Sequence, residues 1–290
     1  MAEKLFITRA IAALTVMIML TGCSSVGFMH AMADDVIKSR VADILDLSDP
    51  DDERHVHETI DRFFAEATPT LAPAYADFLR DQADTLESGG AALERADIAV
   101  MIDEFRQLLR DSAGDMAPAV AGVLVHHTSP GRVEHLRKAL MERREEQIEE
   151  RQEGTPESRR EDRIEQTVDN IERFIPNLTD QQIAQIALYI DRDIAEDDDL
   201  RFFEYTERRH EALTTFLAMQ PDESRIATYM VRWMTEGPQL TDPAFVPLAE
   251  VWWEGRVDLY WSVVRLMSDT QRTETVRILR KYAGDVAALS

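Results

Sequence analysis

Apolar residues recur at three- and four-residue spacing from Asp34 to the C-terminus, and no stretch sustains strict alternation. Ile98, Met101, Ile102, Phe105, Leu108 and Leu109 show the rule: they form one stripe on a helix of 3.6 residues per turn. β-branched runs bounded by turn residues are absent, so a sheet has no material to form from. The chain is therefore expected to be all-α, either a multi-helix bundle or an elongated helical array. The periodicity predicts helices near residues 34–45, 51–66, 70–86, 97–112, 115–126, 131–153, 157–174, 180–195, 199–219, 223–236, 244–266 and 269–288.

Two helix starts carry a full set of local signals. In Leu178-Thr179-Asp180-Gln181-Gln182-Ile183 the Thr179 hydroxyl can accept from the Gln182 amide while the Gln182 side chain reaches back. Ser268 and Gln271 repeat that spacing after Met267. Pro130 and Pro156 each follow a capping hydroxyl residue, as a first-turn proline does. Gly89-Gly90, Gly154 and Gly237-Pro238 are the clearest joints, so residues 34–290 read as one helical domain or as two subdomains divided near Gly154. Nine of the twelve residues from Glu142 to Glu153 are charged, which suits a solvated helix or projecting hairpin.

The first 22 residues have a different character. Lys4 and Arg9 precede an apolar run from Ala10 to Leu20, the layout of a secretory signal, and that run is shorter than the roughly 20 residues a spanning helix needs. Leu20-Thr21-Gly22-Cys23 then resembles the bacterial lipobox, which implies cleavage before Cys23 and lipid attachment to its sulfur. Cys23 is the sole cysteine, so no disulfide framework competes for it. Several acyl chains together give a stable membrane anchor where one is marginal. The resemblance implies a signal peptide over residues 1–22, a lipidated tether over residues 23–33, and, with Ser24 after the cysteine, the periplasmic face of an outer membrane.

Charge and missing motifs exclude more than they identify. The formal charge is −23 overall, and loss of Lys4, Arg9 and Glu3 with the signal makes it one unit more negative. Such a field repels phosphate backbones and anionic lipid headgroups, so nucleic acid is not an expected partner and basic partners are favoured. The eleven glycines form no GxGxxG, P-loop or GxSxG, and no cofactor is expected. His55 and His57, and His126 and His127, lack the three- or four-residue spacing that puts two ligands on one helical face, so no metal site is expected. His126 and His127 read instead as helix C-terminal residues favoured by the dipole. Trp253, Val257, Trp261 and Val264 fall on one stripe and read as core, as do Phe202, Phe203, Tyr205 and Phe216.

The lipobox, the Leu47-Ser48-Asp49, Leu178-Thr179 and Met267-Ser268 starts and the charged central helices together resemble a family of Gram-negative lipoproteins known as a domain of unknown function. Leu178, Thr179 and Gln182 also resemble the start signature of periplasmic chaperones of the Spy and CpxP type, which Met267, Ser268 and Gln271 match in part. The expectation is a non-enzymatic, lipid-anchored helical module that binds envelope proteins or unfolded clients. The alternatives are a cell-wall hydrolase working through carboxylates and a structural spacer.

Overall fold

The computed structural model describes residues 26–195 and 198–290, and among them the chain is entirely helical, with no strand. Ten long helices carry the fold: α1 (Val26–Ile44), α2 (Pro50–Gly89), α3 (Arg95–Leu124), α4 (Pro130–Gln152), α5 (Pro156–Glu172), α6 (Asp180–Ala195), α7 (Asp198–Leu217), α8 (Glu223–Thr235), α9 (Val246–Val264) and α10 (Asp269–Ala287). One extra turn, Pro238–Thr241, sits between α8 and α9. None of these helices is long and apolar enough to cross a membrane.

Helix starts follow the local chemistry read above. Thr155 caps α5 in a reciprocal box with Ser158, and Ser268 caps α10 with Gln271. Asp222 caps α8 by accepting from the Arg225 amide at 2.9 Å, while Asp51, Asp52 and Glu53 place negative charge at the positive end of α2. Gly154 has φ of 85°, a left-handed conformation open to glycine, and turns the chain from α4 into α5.

Two expected breaks do not occur. Residues 51–66 and 70–86 belong to the single helix α2, which runs through Pro69 and Pro73, and residues 97–112 and 115–126 belong to α3, which runs through Gly114 and Pro118. A proline inside a helix removes one amide donor and crowds the preceding turn, but burial of the flanking apolar face outweighs that local cost. Leu79, Ala76 and Ala72 on α2, and Ala113, Ala117 and Ala121 on α3, supply that burial.

The helices gather into two compact units, each assembled from three separate stretches of chain rather than from one contiguous half. Of the described residues, the first takes 26–71, 109–150 and 202–246, and the second takes 72–108, 151–195, 198–201 and 247–290. In the first, Val56 and Ile60 of α2, Leu124 of α3, Val133 and Leu136 of α4, Leu213 and Leu217 of α7, and Ile226, Met230 and Trp233 of α8 form one apolar cluster. Ile37, Val41 and Ile44 of α1 pack against it. In the second, the expected stripe of α10, Val276, Leu279, Ala283 and Val286, is buried throughout, as are Val257 and Val264 of the tryptophan stripe on α9. Ile186 and Ile190 bury the inner face of α6, with Ile171 and Ile175 buried just before it. No residue from Glu142 to Glu153 is buried, in keeping with its charge.

Surface ion pairs tie the second unit together at intervals. Arg95 donates to Glu254 and Asp258, at 2.5 and 2.8 Å, Arg280 reaches Asp84 and Glu87, both at 2.7 Å, and Arg106 meets Glu250 at 2.9 Å. These pairs are exposed, so each contributes little individually and their main effect is register between helices.

Candidate functional site

Leu20, Thr21, Gly22 and Cys23 lie outside the described residues. The helix-start residues singled out in the sequence, Leu178, Thr179, Gln182, Ser268 and Gln271, all fall in the second unit. The Thr179 backbone N–H donates to Gln182 Oε1 at 2.9 Å and the Gln182 N–H donates to Thr179 Oγ1 at 3.3 Å. Ser268 and Gln271 make the same reciprocal pair, at 3.1 Å in both directions. The two boxes also meet directly: Gln271 Nε2 donates to Gln182 Oε1 at 3.0 Å, across 89 residues of sequence. The Gln271 amide nitrogen further reaches the carbonyls of Pro176 and Asn177, and Gln182 Nε2 donates to the Val263 carbonyl at 3.2 Å.

Gln182 is fully buried and Gln271 nearly so. Their amides thus satisfy two helix starts, hold the Asn177 turn in its left-handed conformation (φ of 55°), and join α6, α9 and α10. Leu178 is half-buried, and its amide donates to Glu172 Oε1 at 2.9 Å. The chemistry of this cluster is completed internally. It positions helices and presents no free donor to a ligand.

The first unit contains an open depression of about 270 Å³ on α7 and α8, lined by Phe216, Ser224, Arg225, Thr228, Tyr229 and Arg232. Arg225 and Arg232 are two helical turns apart and share one face of α8, with Thr228 and Tyr229 between them. The Tyr229 ring stacks on Phe216, with centroids 4.0 Å apart and planes within 10°. Glu236 holds Arg232 in a bidentate pair with contacts at 2.8 and 2.9 Å, while Arg225 makes no ion pair among the described residues.

Beneath this face, the Arg209 guanidinium lies 3.6 Å from the centre of the Trp233 ring. The Trp233 indole N–H donates to the Arg209 carbonyl at 3.2 Å. Burial pushes the Arg209 guanidinium below, and the Tyr229 phenol above, their ordinary ranges. Phe216, expected from its helical stripe to be core, is half-buried and lines part of the depression. The arginine pair leaves one signal in the sequence, the seven-residue spacing of Arg225 and Arg232 on a helix whose other face is apolar.

The histidines behave differently from the sequence expectation. His126 and His127 do end α3, in a tight turn, but His127 is 1% exposed and neither ring nitrogen has a hydrogen-bond partner. Burial, its largest influence, pushes its pKa down to about 4. His127 is therefore a neutral core residue and not a dipole-stabilised cation. His55 packs edge-on against His126, with ring centroids 4.5 Å apart, and His55 Nε2 lies 3.1 Å from the Gly122 carbonyl oxygen. Among the described residues no group of three His, Cys, Asp or Glu side chains is placed to hold a metal.

These observations define an all-helical protein with a buried glutamine lock in one unit and an arginine and tyrosine face in the other. A model of the family of unknown function DUF6279 matches residues 43–238, about two thirds of the chain, and the chain belongs to that family. The match includes α8 and the first glutamine box and ends before Ser268. No curated protein and no solved structure matches the chain. These comparisons show no resemblance to Spy or CpxP.

Proposed function

We propose that the mature chain is a lipid-anchored lipoprotein of the bacterial envelope that acts as a binding module without chemistry of its own. Its partner is an acidic, tyrosine- or phenylalanine-bearing segment of another envelope protein, seated on the α7–α8 face. The observation that carries this reading is the lining of the depression: the Arg225 guanidinium, the Arg232 guanidinium paired with Glu236, two hydroxyls and a stacked Tyr–Phe pair, with no carboxylate among the six lining residues of a chain with 55 acidic ones. Tyrosine and arginine are the side chains that most often anchor protein interfaces. The depression is open rather than enclosing, which suits a peptide segment better than a small molecule.

The overall negative field opposes such a partner at long range and slows its approach. At physiological ionic strength that field is screened within about 8 Å, so the docked contact is governed mainly by Arg225, with Arg232 shared with Glu236. The anchor follows from the resemblance of Leu20 to Cys23 to a lipobox. The glutamine boxes make a client-holding role of the Spy type less suitable, because Gln182 and Gln271 are spent inside the fold.

Two measurements test the two parts separately. Intact mass of the protein extracted from membranes is expected to show a terminus at Cys23 carrying acyl chains, and Cys23→Ala is expected to release the protein from the membrane. An unacylated mature terminus overturns the anchor. For the face, a fluorescent Glu-rich peptide containing one tyrosine is expected to bind at least tenfold more weakly to R225E/R232E than to the parent, and a Lys-rich counterpart is expected not to bind there. Equal binding of the acidic peptide to both proteins overturns the docking site, and release of muropeptides from purified cell wall would replace the whole reading with a hydrolase.

A further inference from the structure

All seven histidines of the chain fall in the three stretches of the first unit, and the second unit has none. Two of them sit where a positive charge is disfavoured, His127 by enclosure and His210 by partial burial beside cations. His127 sits at the end of α3, 1% exposed, with both ring nitrogens unpartnered. The groups facing it are Asp46, Asp52, Arg132 and His126. Asp52 is already engaged by the Arg132 guanidinium, which also donates to the His126 carbonyl at 2.8 Å. Asp46 accepts from the Ser48 backbone N–H at 3.2 Å.

His210, half-buried on α7, is faced by two cations, Arg209 and Arg144, with Arg144 itself bound to Glu207 at 2.7 Å and donating to the Phe203 carbonyl at 3.1 Å. A proton on His127 would have no acceptor, and a proton on His210 would sit near the Arg209 and Arg144 guanidiniums, of which Glu207 offsets only the second.

We propose that the first unit is an acid-responsive element, in which protonation of His127 and His210 in mildly acidic medium loosens the packing of α3, α4 and α7 while the second unit keeps its fold. The inference goes beyond the binding role above and does not depend on it. The sign follows from linkage. Burial, the largest cause in each case, pushes both histidines down from 6.5 to about 4 in the fold. The unfolded chain therefore takes up protons first. The histidine contribution to stability is fully present well above pH 6.5, is lost as pH drops from 6.5 toward 4, and changes no further below that. At pH 5 the His127 contribution alone shifts the local opening equilibrium about thirty-fold. In the second unit the ion-paired carboxylate of Glu87 is held below its ordinary range by Arg280 and stays charged at pH 5.

The test is hydrogen exchange of the full chain at pH 7 and pH 5, corrected for the intrinsic pH dependence of exchange. Protection is expected to fall at least tenfold in residues 109–150 and 202–246, and to change less than threefold in residues 72–108, 151–195 and 247–290. Equal loss in both units, or no loss in the first, overturns the proposal. Carbon-13 NMR of histidine-labelled parent protein provides a second reading that needs no variant. Ring signals of His127 and His210 that titrate near pH 6.5 in the folded protein overturn the proposal, and signals that stay neutral to below pH 5 support it. With H127L/H210L, if it folds, the pH 5 loss is expected to shrink at least fivefold.

Discussion

Replacing Gln182 with alanine is expected to destabilise the second unit by about 3 kcal/mol, a large share of a domain's net stability. The substitution removes the back-bond to the Thr179 amide, which as a cap is worth about 1 kcal/mol. It also removes an acceptor from Gln271 Nε2 and the donor to the Val263 carbonyl, both in the interior. Leaving buried polar groups unpaired costs about 1–3 kcal/mol. Gln271→Ala should cost a similar amount for the mirrored reasons, and it also frees the Pro176 and Asn177 carbonyls.

Because the two amides bond to each other, the double variant should fall short of the sum of the singles by about 1 kcal/mol. Urea denaturation of the four proteins, with exchange protection in α6 and α10 as the local probe, measures the cycle. Strict additivity would mean that the two helix starts do not touch.

Trp233→Ala is expected to cost the first unit about 4 kcal/mol, within the range for removing a large buried aromatic side chain. Trp233 is 7% exposed in the apolar cluster of α2, α3, α4, α7 and α8. Its loss also strips the Arg209 guanidinium of the ring it lies against. A cation–π contact of this kind is worth about 2 kcal/mol when desolvated, so the alanine variant loses more than packing. Trp233→Phe keeps a ring but loses the indole donor to the Arg209 carbonyl, and should cost about half as much. Thermal unfolding followed by exchange in residues 202–246 distinguishes the variants, and equal losses for alanine and phenylalanine would remove the ring-face contact from the account.

The sequence expectations fared according to how far apart the interacting groups lie. The α10 start at Ser268 and the α6 start at Thr179 were legible because a capping box needs only groups three residues apart. The buried stripe of α10 was legible because one helix turn brings its members onto one face. Breaks were misplaced at residues 67–69 and 113–114, where local helix cost was visible and the compensating burial of α2 and α3 was not. The identity of the candidate binding face was not legible either. Phe216 and Tyr229 are thirteen residues apart and stack only once α7 and α8 fold back on each other.

Secondary structure, helix polarity and the location of most helix ends were determined by the chain itself, because propensity, period and capping act within one or two turns. Tertiary structure alone decided that Gln271 would bond Gln182, that His127 would lose its water and its charge, and that Arg209 would face a tryptophan rather than a carboxylate. Each of those outcomes depends on which groups are brought together and how much water is removed around them, and desolvation is a property of the packed interior that no local window of sequence contains.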